Sequence, residues 1–558
     1  MNSVLVRFGG PGGRLVRVLR TRLSPCKGGA TLPQMTTENL AELLSEFQDR
    51  GELLRIAAEV QPDLEVAEIT DRVCRSMAPS PALLFERVVG SSLPLVTNLL
   101  GSEWRISRAL GVGSLDEAVV RAQSLTQPDR PGGWLDKLKQ VAQGNIWTQF
   151  EPQTIRNAPC QQVVRLGSDI RLADLPFPRG WPRERRGSWT NTLILARPVE
   201  GGVLTSRLDV VARDERSLLV PLHSQDRLLA LWRQHRRAGT RLELAIVMGG
   251  APPSLVAQGA LLPADWHPLL AAGLWRGQPL QQVKCRTIEL EVPAQAEVVL
   301  EGHIEPHDDL EPSGPLAGPT GCYRTRAAGP VVHLTAVTQR ANPVLPHCVF
   351  GRFSHEEYWL NQTAIRLGLP LVRKLLPEVV DWSVPRSATR HNTLFIAIRK
   401  TRLGQARQVL STLWGLAPQV LTRLVVVVDA GVNVHDADAV WRAVAIHCLP
   451  GRDTVVYEGP SHDPDPGTCG RGLAWAGLSE PALEEAGLGR TGWGGLATGE
   501  LGTGELGRAL GFDATRKEPG EVVGGSTPEE LVMSADVQDL VTRRWGDYGL
   551  SPVSRPAW

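Results

Sequence analysis

Thr190-Asn191-Thr192-Leu193-Ile194-Leu195 and, further on, Leu242-Glu243-Leu244-Ala245-Ile246-Val247-Met248 are short runs rich in branched apolar residues, each closed by turn residues. Val203 to Val211, Ser217 to His223, Gln281 to Val292 and Ala296 to Gly302 have the same character. Many short strands in succession predict a barrel-like sheet across residues 150–330. Upstream the pattern changes. Glu38 to Gly51 places Leu40, Leu43, Leu44 and Phe47 on one helical stripe, a second helix is expected from Asp63 to Met77, and Pro81 to Phe85 and Leu93 to Thr97 read as strands. These elements predict an α/β domain over residues 36–130, bounded by Pro128, Pro131, Gly132 and Gly133. Downstream of Val331 helices and strands alternate, with Leu394 to Ile398, Leu424 to Val428 and Asp453 to Tyr457 as buried strands, so a second α/β domain is expected over 331–530. The fold class is α+β. A glycine-rich stretch, 461–507, carries the tandem Thr498-Gly499-Glu500-Leu501-Gly502 and Thr503-Gly504-Glu505-Leu506-Gly507 and reads as a surface insertion.

Composition removes several function classes. The 558 residues hold 60 basic and 59 acidic side chains, a net charge of +1, which leaves no electrostatic footprint for nucleic acid. No run approaches the ~20 apolar residues a membrane helix needs. Eight scattered cysteines without a Cys-x-x-Cys pair suggest neither a disulfide framework nor a zinc ribbon, and a reducing cytoplasm is the expected location. Residues 1–35 carry arginines and no acid before Glu38; the expectation is an unstructured extension, with a transit peptide or an upstream start before Met35 as the other readings. Gly9-Gly10-Pro11-Gly12-Gly13 lacks the preceding strand and the lysine of a phosphate loop.

Leu274-Trp275-Arg276-Gly277, Glu291-Val292-Pro293-Ala294 with Leu300-Glu301-Gly302, Pro377-Glu378-Val379-Val380-Asp381, Arg452-Asp453-Thr454-Val455 and Gly511-Phe512-Asp513-Ala514-Thr515 follow one another in an order that resembles the UbiD family of carboxy-lyases over residues 38 to 520. The resemblance implies a central split β-barrel like that of flavin reductases and a C-terminal α/β domain used in homo-oligomerisation, as a dimer or higher. It also implies a prenylated flavin mononucleotide held with a divalent metal and potassium, and decarboxylation of an aromatic or unsaturated carboxylic acid, with ubiquinone precursors among the family's substrates. The flavin acts as electron sink while an arginine and two carboxylates position substrate and move protons.

Carried onto this chain, the family's arginine is Arg207 and its flavin-contacting threonine is Thr190, while the asparagine five residues before the arginine is Gly202. The histidine near the flavin phosphate is Gln225, for which His223 is the expected substitute, and the glutamate ligand is Pro268. Ser313 and Gly318, in Ser313-Gly314-Pro315-Leu316-Ala317-Gly318-Pro319-Thr320-Gly321, stand where the family has its two catalytic carboxylates. No metal ligand is therefore assigned. Glu311, two residues before Ser313, is the candidate replacement acid if the loop shifts. Asp209 or Asp214 is the expected salt-bridge partner of Arg207 in a purely structural role. His303, His307, Asp308 and Asp309 read as solvated loop residues. Two functions follow: a UbiD-type decarboxylase with a degenerate site acting on an aromatic or unsaturated carboxylic acid as its small-molecule partner, or a non-catalytic scaffold or partner subunit that has lost metal and flavin chemistry.

Overall fold

The computed structural model describes residues 2–7, 15–20, 37–77, 79–126, 149–222, 226–257, 267–324, 328–352, 354–386, 393–415, 423–460, 506–518, 520–521 and 533–548. Six antiparallel strands close into a barrel in the order Ser217–Leu219, Leu204–Asp214, Ser188–Ala196, Leu242–Met248, Val298–Ile304 and Val331–Gln339, the last pairing back onto Ser217–Leu219. Alternation explains the apolar runs. Ile194, Leu244, Ile246, Met248, Val298 and Leu300 point into one core, while Leu193, Leu195, Ala245, Val247 and Val299 pack outward against Val283, Ile288 and Val292. A strand buried on both faces needs apolar residues at successive positions, and closure leaves no exposed edge.

The barrel extends past the boundary expected at residue 330, because Val331–Gln339 is its sixth strand and pairs with Val298–Ile304. Gln281 to Val292 is two strands, Gln281–Lys284 and Glu291–Pro293, instead of one. The turn between them is held by the buried carboxylate of Glu301, which accepts N–H bonds from Arg286 at 2.9 Å and Thr287 at 2.7 Å. Within residues 1–35, where an unstructured extension is expected, Asn2–Arg7 pairs antiparallel with Leu15–Arg20, Val4 opposite Val18. Branched residues on both arms favour such pairing. The glycine motif at 9–13 and most of the 461–507 stretch lie outside the described residues.

The N-terminal sheet has the order Leu345–His347, Leu95–Thr97, Ala82–Val88, Leu53–Val60. Its first helix, Leu40–Arg50, is capped by the Asn39 side chain and stopped by Gly51 at φ +74°, and buries Leu40, Leu43, Leu44 and Phe47 as the stripe requires. Leu345–His347 is the chain's return from the barrel to this sheet, parallel to Leu95–Thr97. Both sheets belong to one compact unit. A second unit, residues 372–385, 393–458 and 508–558, contains a five-stranded sheet in the order Val379–Ser383, Thr393–Ile398, Leu424–Asp429, Leu506–Asp513, Thr454–Pro460. Among the described residues no helix is long and apolar enough to cross a membrane, and the described cysteines are free thiols.

Candidate functional site

Arg207 lies mid-strand in the barrel with its side chain only 6% exposed. Its side-chain Nε is buried without a hydrogen-bond partner. Among the described residues its one ionic neighbour is Glu357, with Nη2 to Oε1 at 3.7 Å, beyond hydrogen-bond reach. Glu357 enters from the first turn of the helix His355–Leu375. It also accepts the Asn191 side-chain amide at 3.2 Å and that of Asn361 at 3.3 Å. Asn191 sits at a bulge in Ser188–Ala196, between Trp189 and Thr192, with φ +57°. Asn tolerates this left-handed conformation, and the bulge aims its side chain at Glu357.

The neighbouring Glu356 is buried. Its Oε1 accepts the Leu100 N–H at 3.1 Å and its Oε2 has no partner. Burial pushes its carboxyl up to about 7, against the pull of the Leu100 N–H and the Arg105 guanidinium. Arg105 is itself committed elsewhere, to Glu52 at 2.6 Å and to the carbonyls of Leu99 and Asn98 at 3.0 and 3.2 Å, and so fixes the segment that presents the Leu100 N–H. His347, at the end of the returning strand, packs its ring edge-on against Trp189 at 5.3 Å. Burial pushes it down to about 4, and its Nδ1 also lacks a partner. Arg207, Glu356 and His347 line one cavity of about 60 Å³, with Thr190, Cys348 and Gly249 among its walls. Buried polar atoms are nearly always hydrogen-bonded, and three of the residues lining this cavity each carry one that is not.

The expected residues are placed unequally. Arg207 and Thr190 meet at this cavity, though the Thr190 hydroxyl is turned onto the Cys348 carbonyl. Glu311 is elsewhere: Arg213 holds it through Nε at 2.9 Å, six residues along the Arg207 strand and so about 20 Å away. Its backbone pairs with Gly329, which fixes it at that end of the barrel and removes it as a replacement acid. His223 and Gln225 lie outside the described residues. Neither expected partner of Arg207 serves it, since Asp209 binds Arg324 and Asp214 binds Arg213. His303 is not a solvated loop residue; it ends a barrel strand opposite His333, ring centroids 5.8 Å apart. Asp308 is tied to His333 at 2.8 Å. Glu356, Glu357, Asn191 and His347 escaped the sequence reading. One signal for Glu356 existed: it stands at the head of the stripe Leu360, Ala364, Leu367, all buried, where an apolar residue belongs.

The positions carried over for the family's metal clamp hold no metal ligands among the described residues. Gly202 is exposed in the turn between two barrel strands, at φ +86°, a conformation that favours glycine. Pro268 is the first residue of the helix Pro268–Arg276, and His267 caps that helix by accepting the Leu269 N–H at 3.2 Å. Neither position offers a donor atom to a metal. Ser313 is buried with an unpartnered hydroxyl. Gly318 has no room for a side chain, because a Cβ there would stand 2.9 Å from the Cys322 carbonyl oxygen. A cavity of about 60 Å³ is also far below the roughly 300 Å³ at which cofactor pockets begin. Among the described residues, these positions do not fit a metal-bound flavin.

Comparison with known proteins gives a consistent lineage. Family models for 3-octaprenyl-4-hydroxybenzoate carboxy-lyase match in three parts: the N-terminal domain at residues 44–122, the Rift-related domain at 153–353 and the C-terminal domain at 358–472. Uncharacterized proteins of Aquifex aeolicus and Archaeoglobus fulgidus are each 33% identical over 425 residues, 76% of this chain and 87% and 86% of theirs. Among solved structures, the vanillic acid decarboxylase of Sedimentibacter hydroxybenzoicus in its closed form superposes with a TM-score of 0.75 at 20% identity, covering 92% of this chain and 99% of that one. The UbiD-class enzyme HmfF of Pelotomaculum thermopropionicum, solved with FMN, gives 0.69 at 24% identity over 91% and 99%.

Proposed function

Because the chain belongs to the UbiD family of carboxy-lyases while its clamp positions do not fit the family's metal and flavin, we propose that it binds a small carboxylic acid without the metal–flavin decarboxylation. The single observation that carries this reading is Arg207, whose buried Nε has no hydrogen-bond partner, on a cavity also lined by Glu356 and His347, whose Oε2 and Nδ1 likewise lack partners. A guanidinium in that state gains charge-assisted bonds from a carboxylate. Decarboxylation would need an electron sink, and none of the side chains around the cavity is one. The protein therefore acts as a binding or partner subunit on the family's fold, and by resemblance it assembles as a homo-oligomer. Trp441, Ile446 and Leu449, exposed on and just after the helix Ala437–His447, suit such an interface.

The test is purification after co-expression with a flavin prenyltransferase in manganese-supplemented medium, read by absorbance and metal analysis. The expected outcome is no stoichiometric flavin or metal. Retention of both, with release of carbon dioxide from an added unsaturated acid, would falsify the proposal. A second reading, a decarboxylase whose acids have moved to the helix His355–Leu375, is favoured by Glu356, whose carboxyl at about 7 is tuned for proton transfer near neutrality. The same flavin measurement separates the two.

A further inference from the structure

We propose that the pocket takes up one proton with each acid it binds, the proton residing on Glu356 Oε2, so that the ligand carboxylate is received by two donors, Arg207 Nε–H and Glu356 O–H. The inference rests on the binding reading above and adds its proton coupling and ligand size.

The assignment of the proton to one oxygen is geometric. Glu356 Oε1 already accepts the Leu100 N–H at 3.1 Å, whereas Oε2 is buried with no partner. A proton on Oε2 converts an orphan acceptor into a donor on the same cavity as the orphan Nε–H of Arg207. Charge counting requires that conversion. Arg207 already has an acidic neighbour, Glu357 at 3.7 Å, before anything binds. A carboxylate arriving beside an ionised Glu356 would bury two uncompensated negative charges, which a dry site does not support; beside the protonated form it buries one, shared through a short hydrogen bond.

The Leu99 N–H adds a weak pull toward the ionised form, and among the described residues no other titratable group around Glu356 relieves this. On its own helix the titratable neighbours are Glu357, which opposes a second charge, and His355, whose Nδ1 is 2.6 Å from the Ser80 hydroxyl. Arg105, from the helix Glu103–Leu110, spends its donors on Glu52 and backbone carbonyls. His347 is pushed down to about 4 and stays neutral, and the buried Cys348 thiol is pushed up by the same burial and by both glutamates. From the helix Glu65–Ser76, Cys74 is likewise held as a thiol, and Asp71 is paired with Arg75 at 2.8 Å. Among the described residues, Glu356 is the group left to carry the proton, which comes from solvent.

Size follows from volume. About 60 Å³ is roughly four to six water sites at 10–15 Å³ each, enough for a carboxylate of two or three carbons and too little for an aromatic acid.

The experiment is titration calorimetry of the full-length protein with sodium propionate from pH 5.5 to 8.5, in phosphate and in Tris, with acetate, acrylate and benzoate as size controls. The expected result at pH 8 is a heat that differs between buffers by one proton per propionate, and an affinity that falls about tenfold per pH unit once Glu356 ionises in the free protein. Glu356→Gln, which keeps a donor and an acceptor, should bind propionate with no pH dependence, its fold checked by circular dichroism. Buffer-independent heats and a flat pH profile in the unaltered protein would overturn proton coupling while leaving acid binding intact. Benzoate binding as tight as propionate would overturn the size assignment. No binding of any of the four acids at any pH would overturn the binding reading as well.

Discussion

The two sides of the barrel site have diverged in opposite directions. On one side lie the turn at Gly202, the helix start at Pro268 and the loop from Ser313 to Gly318, where donor atoms and carboxylates have been replaced by residues that satisfy only the backbone. On the other lies the start of the helix His355–Leu375, which drives two carboxylates into the interior beside Arg207. The expected motif positions carry no acid, yet Glu356 and His347 line the same cavity as Arg207, from a different part of the chain. Charge at a site is a property of what packs there, and a motif can empty while a helix some 150 residues away supplies the charge.

The largest expected effect comes from breaking the charged side. Arg207→Met removes the cation 3.7 Å from the buried Glu357 and should lower stability in urea unfolding by about 1–3 kcal/mol, with loss of propionate binding. Pairing it with Glu357→Gln should return most of that stability and none of the binding; equal losses in the single and double variants would show that the two side chains are not coupled. The pH profile sharpens the comparison next. Glu356 has a folded value of about 7 against an ordinary 4.5, so the native state holds its proton more tightly than the unfolded chain. Its contribution is present in full below about 4.5 and is lost as pH rises towards 7, on the order of 3 kcal/mol. Glu356→Gln should flatten that decline between pH 5 and 8; an unchanged slope would remove Glu356 as its source. His347 works in the opposite sense, with stability lost as pH falls from 6.5 towards 4.

The emptied side should respond less. Gly318→Ala forces a methyl to within 2.9 Å of the Cys322 carbonyl and should cost about 1–3 kcal/mol, so restoring a carboxylate there by substitution alone fails for lack of space. A neutral Gly318→Ala would mean that the loop yields. The smallest effect belongs to Gly202→Asn. Asparagine tolerates the turn's positive φ, stability should shift by no more than about 1 kcal/mol, and no manganese should bind. Manganese uptake by this variant would show that the clamp is intact elsewhere.

Much of this architecture could be read from residue order. Leu242 to Met248 is a strand to its last residue, because burial on both faces demands an unbroken apolar run and charged or glycine residues end it. Gln281 to Val292 misled because its turn is stabilised from outside by Glu301, a contact between distant residues that local propensity does not encode. The site divides in the same way. Arg207 and Thr190 stand out on their strands. Asn191 and Glu357 are 166 residues apart, and two glutamates in a first helical turn look like ordinary complements to the helix dipole until the fold buries them.

The most direct measurement is a crystal structure of the protein soaked with propionate at pH 6. The account expects the carboxylate between Arg207 Nε and Glu356 Oε2, with His347 at the cavity wall and no metal near Gly202 or Pro268. Propionate found only outside this cavity, or a metal-bound flavin phosphate beside Arg207, would contradict it.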